Sequence, residues 1–168
     1  MNTDKTLVGV VMGSDSDLET MQRCMSQLEH FDVPYEVRII SAHRTPDVAH
    51  EYAATAAERG LKLIIAAAGM SAALSGVLAA KTTLPVIGVP MCSGPLAGMD
   101  AALATMQMPP GVPVGCMSIG KAGATNAAVY AVEILALGDA ALAGRLEQFK
   151  QDQARKVAEK DAAVRKRN

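Results

Sequence analysis

The sequence predicts an α/β domain of three layers, a parallel sheet between helices, with an appended C-terminal helix. Three observations carry this reading. Short apolar runs alternate with helical stretches along most of the chain. Hydrophobic residues make up 50% and charged residues 20% of 168, the balance of a globular chain long enough for one sizeable core. Aromatic residues are only 3% with no Trp, so the core must be filled by Ala, Val, Ile, Leu and ten Met. No repeat or linker divides the chain, so a single domain over 1–168 is expected, its core about 6–137 and its terminal helix about 139–166.

In chain order, the apolar run Thr6–Met12 reads as the first strand and Asp17–Phe31 as the first helix. Val33–Ile40 is a strand by its Val37, Ile39 and Ile40, and Pro46–Arg59 is a helix with Pro46 in its first turn and Thr45 as its N-cap. Lys62–Ala68 is a third strand, followed by a short Ala-rich helix over Ala72–Ala80. Pro85–Val89 and Val112–Met117 complete the strands, with a helix inside Pro95–Met106 between them. A long helix then runs over Ala122–Leu137. Asp139–Lys166 is rich in Ala, Lys, Glu, Gln and Arg, which are good helix formers. Its sparse apolar residues suit packing on its own or a neighbouring subunit, and the basic end Arg165-Lys166-Arg167-Asn168 reads as a solvated tail.

The bulk numbers also exclude. A formal net charge of −1 gives no support to a general nucleic-acid or membrane-surface binder. Cys24, Cys92 and Cys116 are isolated and odd in number, which indicates neither a disulfide frame nor a metal site and reads as buried thiols in a reducing compartment. No apolar run of leader type follows Lys5 and no stretch is apolar enough to span a bilayer, so a cytoplasmic protein is expected. Small core side chains bury little area each, which favours a homo-oligomer in which neighbouring chains cover more.

The chemistry sits in the turns after the first three strands. Gly13-Ser14-Asp15-Ser16-Asp17 follows the first strand directly, and free N–H groups at the helix start favour an anion there. Ser14 and Ser16 offer hydroxyl donors to a phosphate; Asp17 suits ribose hydroxyls, or simply the N-cap. This loop is neither a dinucleotide fingerprint nor a Walker A motif. Ser41-Ala42-His43-Arg44-Thr45-Pro46 sets a histidine, able to exchange a proton near neutrality, beside a fixed anion clamp. Gly69-Met70-Ser71-Ala72-Ala73-Leu74 is small and uncharged, suited to a flat ligand lying against backbone. In a flavodoxin-like strand order of 2-1-3-4-5 the three turns meet at the switch point, where α/β sheets bind ligands. One pocket then follows: phosphate on Ser14, Ser16 and Arg44, ribose near Asp17, a proton-active ring beside His43, and Ser41, Gly69, Met70, Ser71 and Leu74 as further contacts. The Gly- and Pro-rich turns Gly88–Pro95 and Gln107–Pro113 read as rigid loops around it. Lys121 is read as a surface or interface charge, and His30 and His50 as helix residues outside the chemistry.

Val11–Asp17, Ser41–Pro46, Leu84–Pro90, Gln107-Met108-Pro109, Gly111–Val114, Ile119–Ala124 and Asn126-Ala127-Ala128 occur in an order that resembles the bacterial N5-carboxyaminoimidazole ribonucleotide mutase family of purine synthesis, over roughly Val8–Leu137. The resemblance implies a homo-octamer with no metal, ATP or biotin, acting on a small nucleotide. It implies carboxyl migration from the exocyclic nitrogen to ring carbon C4 through CO₂ and aminoimidazole ribonucleotide, with His43 handling the proton and Ser14, Asp17 and Arg44 binding the nucleotide. One stretch departs: the family's His and Pro after the third strand are Ala73 and Ser75 here. That pattern leans towards the related enzymes that carboxylate aminoimidazole ribonucleotide directly, whereas Arg44 stands where those carry Lys. A non-catalytic flavodoxin-like nucleotide or flavin module is the alternative from another class; it leaves His43-Arg44 without a role.

Overall fold

A computed structural model of the chain describes residues 6–166, so Arg167 and Asn168 of the expected basic tail lie outside the described residues. The chain runs β1 (Val8–Met12), a 3-10 turn (Asp15–Asp17), α1 (Leu18–His30), β2 (Tyr35–Ile39), α2 (Pro46–Thr55) and β3 (Leu63–Ala68). It continues through α3 (Leu74–Ala79), β4 (Val86–Pro90), α4 (Met99–Met106), β5 (Gly115–Cys116), α5 (Lys121–Ala136) and α6 (Ala140–Arg165). The five strands pair in parallel in the order β2-β1-β3-β4-β5.

Register aligns the strand ends. Met12 pairs with Ile39 on one side and Ala67 on the other, and Ala67 pairs with Val89. The turns after β1, β2, β3 and β4 therefore leave the sheet at one level. Right-handed crossovers place α1, which leads outward to β2, on the face opposite to α2, α3 and α4, which lead the other way.

The continuous apolar runs of β1, β3 and β4 mark strands covered on both faces. One core layer gathers Val11, Ile64, Ala66 and Val86 from the sheet against Tyr52 and Ala53 of α2 and Leu74 and Leu78 of α3. Small side chains make this contact close: a Cβ on Gly9 of β1 would run into the Tyr52 hydroxyl. Tyr52 is buried, and desolvation together with neighbouring Glu36 raises its phenol well above the ordinary value against the opposing pull of Arg59. β2, at the sheet edge, leaves Val37 and Ile39 exposed.

Several elements are shorter than their apolar patterns predict. β5 keeps two residues of the expected Val112–Met117, because Pro113 has no N–H for the ladder and Gly111 turns at φ +94°. The Met117 N–H still reaches the Gly88 carbonyl at 2.9 Å. α2 ends at Thr55 rather than Arg59; the chain then turns through Gly60 at φ +99°, in the left-handed region that glycine occupies freely. Of the thiols expected to be buried, only Cys24 is: desolvation pushes it up to about 12, while Cys92 is exposed and Cys116 half-buried.

The chain forms two compact units, the first running to Ala131 and the second from Val132. Within the second, Asp139 caps α6 by accepting from the Leu142 N–H at 3.0 Å, and Lys150 pairs with Glu133 at 2.7 Å. Beyond Leu142 the helix is largely exposed and carries ion pairs of Arg155 with Asp152 and Arg165 with Asp161. Among the described residues, no helix is long and apolar enough to cross a membrane.

Candidate active site

The aligned strand ends open onto a cavity of about 520 Å³, lined from four turns. Gly13, Ser14, Ser16 and Asp17 come from the turn after β1, and Ser41 to Arg44 from the turn after β2. Ala68 ends β3, Gly69 to Ser71, Ala73 and Leu74 follow it, and Ser93 follows β4. All ten residues singled out in the sequence (His43, Ser14, Ser16, Asp17, Ser41, Arg44, Gly69, Met70, Ser71 and Leu74) are brought together around this cavity.

The first turn is compact because Ser14, in extended conformation, accepts from the Ser16 N–H at 3.3 Å and from the Ser16 hydroxyl at 3.0 Å. Ser14 in turn donates to Asp15 Oδ1 at 3.1 Å. Two serine hydroxyls thus stand side by side at the cavity rim, ahead of the first helical turn, whose N–H groups carry partial positive charge.

Asp17 is different from the other acids. It is 8% exposed and occupies the N-cap position of α1 without making a side-chain cap bond. Burial raises its carboxyl above 3.8; hydrogen bonding from Ser14 and Ser16 opposes that, and the Asp15 charge adds to it. A carboxylate on a cavity has acceptor capacity beyond the bonds from Ser14 and Ser16, of a kind that donors such as sugar hydroxyls fit. The raised value means the folded chain holds the proton more tightly than the unfolded chain. That contribution to stability is fully present below the unfolded value and lost as pH rises through the folded one. Asp17→Asn is therefore expected to raise the melting temperature at neutral pH, with the gain shrinking as pH falls towards the ordinary carboxylate range. A variant no more stable than the parent at neutral pH would contradict this.

The second turn carries the cation. Arg44 donates from its guanidinium to the Gly13 carbonyl at 3.1 Å and through Nε to Ser41 Oγ at 3.4 Å, while its N–H also meets Ser41 Oγ at 3.2 Å. These bonds tie the turn after β2 to the turn after β1 and set a permanent charge on the cavity that the serine pair also lines. A guanidinium has five N–H donors, so others remain for a ligand. His43, next to it, is exposed at the cavity and makes no hydrogen bond among the described residues.

Thr45 departs from its expected role. It stands at the N-cap of α2, but its hydroxyl caps no helical N–H; it turns back to Ser41 instead.

The third turn is shaped by close approach. A Cβ on Gly69 would strike the Ser93 hydroxyl, so glycine there lets the turns after β3 and β4 touch. Met70 holds φ +55°, a left-handed conformation that costs a non-glycine residue on the order of 1 kcal/mol. Strain of this kind gathers at functional sites. Of the two Gly- and Pro-rich turns expected around the pocket, Gly88–Pro95 lines it through Ser93, which its turn gives no more weight than its neighbours, and Gln107–Pro113 supplies no lining residue; Gly13, Ala42, Ala68 and Ala73 also line it outside the expected set.

An imidazole, a guanidinium and paired hydroxyls stand together at the switch point of a parallel sheet, where α/β enzymes bind small ligands. Residues 7–156 match the model of the AIR carboxylase family, and the chain belongs to that family. It is 54% identical over 153 residues to the N5-carboxyaminoimidazole ribonucleotide mutase of Bacillus subtilis, covering 91% of this chain and 94% of that one. It is 49% identical over 160 residues to the mutase of Pyrococcus horikoshii, covering 95% and 89%. Among solved structures, PurE of Treponema denticola superposes with a TM-score of 0.81 at 31% identity, over 94% of this chain and 98% of that one.

Proposed function

We propose that the protein converts N5-carboxyaminoimidazole ribonucleotide to 4-carboxyaminoimidazole ribonucleotide in purine biosynthesis. The observation that carries this is His43 beside Arg44 on the one cavity that also holds the Ser14–Ser16 pair, in a chain about half identical to several mutases. The phosphate binds Ser14, Ser16 and Arg44, and the ribose hydroxyls donate to Asp17. The uncharged turn from Gly69 to Leu74 forms the wall against which the imidazole and its carboxyl lie.

The carbamate N–C bond breaks, CO₂ leaves, and the bonding electrons return to nitrogen, which takes a proton. Carbon C4 of the enclosed aminoimidazole ribonucleotide then attacks the same CO₂, forming the new C–C bond, and the C4 proton is removed. His43 serves both proton transfers, giving at nitrogen and taking at carbon, so it ends in the form in which it began. Retaining CO₂ favours a cavity lined by small residues with little water. By the same reading the protein works as a homo-oligomer, an octamer, in the cytoplasm.

Direct carboxylation of aminoimidazole ribonucleotide is the second reading, favoured by Ala73 and Ser75 in the turn and helix after β3. A paired assay separates the two. Fresh N5-carboxyaminoimidazole ribonucleotide at low bicarbonate is expected to turn over fast, and aminoimidazole ribonucleotide with high CO₂ slowly. Efficient turnover in the second arm alone would make the protein a direct carboxylase, and silence in both would remove the enzymatic reading.

A further inference from the structure

Resting on that reading, the geometry points to Thr45 as the positioning residue that sets His43 in place, a role separate from the helix cap its sequence position suggests. Three hydrogen bonds join the two ends of the turn. The Thr45 N–H and the Thr45 hydroxyl both donate to the Ser41 carbonyl, at 2.8 and 3.0 Å, and the Ser41 N–H donates to Thr45 Oγ1 at 3.0 Å. The hydroxyl therefore acts as donor and acceptor at once to the backbone of a single residue, closing a clip around Ala42, His43 and Arg44.

What sits inside the clip is held unequally. Arg44 is held by Ser41 Oγ and, outside the clip, by the Gly13 carbonyl of the turn after β1. His43 has no such anchor among the described residues, so the backbone path between Ser41 and Thr45 fixes where its ring points. Only threonine and serine offer a hydroxyl one carbon from the main chain, short enough to reach back in this way. Opening the clip should free the imidazole while leaving the phosphate clamp intact, which predicts a loss in kcat rather than in KM.

The test is Thr45→Val, which keeps the shape and removes the hydroxyl, beside Thr45→Ser, which restores it. In the mutase assay, Thr45→Val is expected to lower kcat by about ten- to a hundredfold, the scale of a misplaced catalytic group. KM and melting temperature should stay near the parent values, and Thr45→Ser should recover most of the rate. Amide exchange followed by NMR should speed up at Ser41 in Thr45→Val and stay close to the parent in Thr45→Ser. Parent-like kcat in Thr45→Val, an equal rise in KM, or failure of serine to rescue would overturn the role. Unchanged exchange at Ser41 would overturn the clip itself. If the parent protein turns over neither substrate, the reaction falls and Thr45's part in it falls too, while the exchange measurement still reports on the clip.

Discussion

His43→Asn is expected to lose about a thousandfold in kcat, within the range that a positioned acid–base group contributes. Asparagine is close in size and polar, so the turn should keep its shape, but it cannot carry a proton between nitrogen and carbon. Binding of the product, measured by calorimetry, should change little, because in the proposed pose the phosphate meets Arg44 and the Ser14 turn, whose own hydrogen bonds do not pass through His43. The reason to expect so large an effect is that the cavity offers no second imidazole. Ala73 carries no titratable group, and Ser14, Ser16, Ser41, Ser71 and Ser93 hydroxyls are poor proton carriers at neutral pH. Near-parental turnover in His43→Asn would take this residue out of the mechanism.

Arg44→Ala should act on affinity instead. The guanidinium carries the permanent positive charge of the cavity wall and also bridges two turns through Gly13 and Ser41. A hydrogen bond to a charged group contributes about 1.5–3 kcal/mol, so the dissociation constant of the product should rise about ten- to a hundredfold. Lysine should rescue this only in part: an ammonium supplies charge but not a planar fork able to hold the Gly13 carbonyl and a phosphate together. The affinity of the parent should weaken with added salt more steeply than that of Arg44→Ala, since the variant has lost a screened charge interaction. Equal affinity in parent and variant would remove the clamp.

The sheet was legible in the sequence because its strands are nearly unbroken apolar runs. Leu63–Ala68 could be little else, and its neighbours alternate with helical stretches at βαβ spacing. The residues that line the cavity were legible for a related reason: parallel sheets put their ligand-binding turns at strand ends, so a histidine–arginine pair just past a strand already had an address. Limits to legibility came from contacts rather than from local pattern. Thr45 sits where a cap belongs, and only the fold of the turn shows its hydroxyl returning to Ser41. Ser93 becomes part of the cavity because Gly69 lets two turns touch, which no spacing within either turn encodes. Ile39 is one of the apolar residues that mark β2 as a strand, yet β2 is an edge strand and leaves it 56% exposed.

The strand order has a kinetic meaning. β1 lies between β2 and β3, so the turns bearing the serine pair, the histidine and the small-residue wall become neighbours only after two separate crossovers have closed. Such non-local parallel pairings are the slow part of folding, since loop closure must be achieved before any contact rewards it. Nucleotide affinity should therefore arise together with the finished centre of the sheet, late in refolding, and ligand binding should stabilise the whole first unit rather than one turn of it.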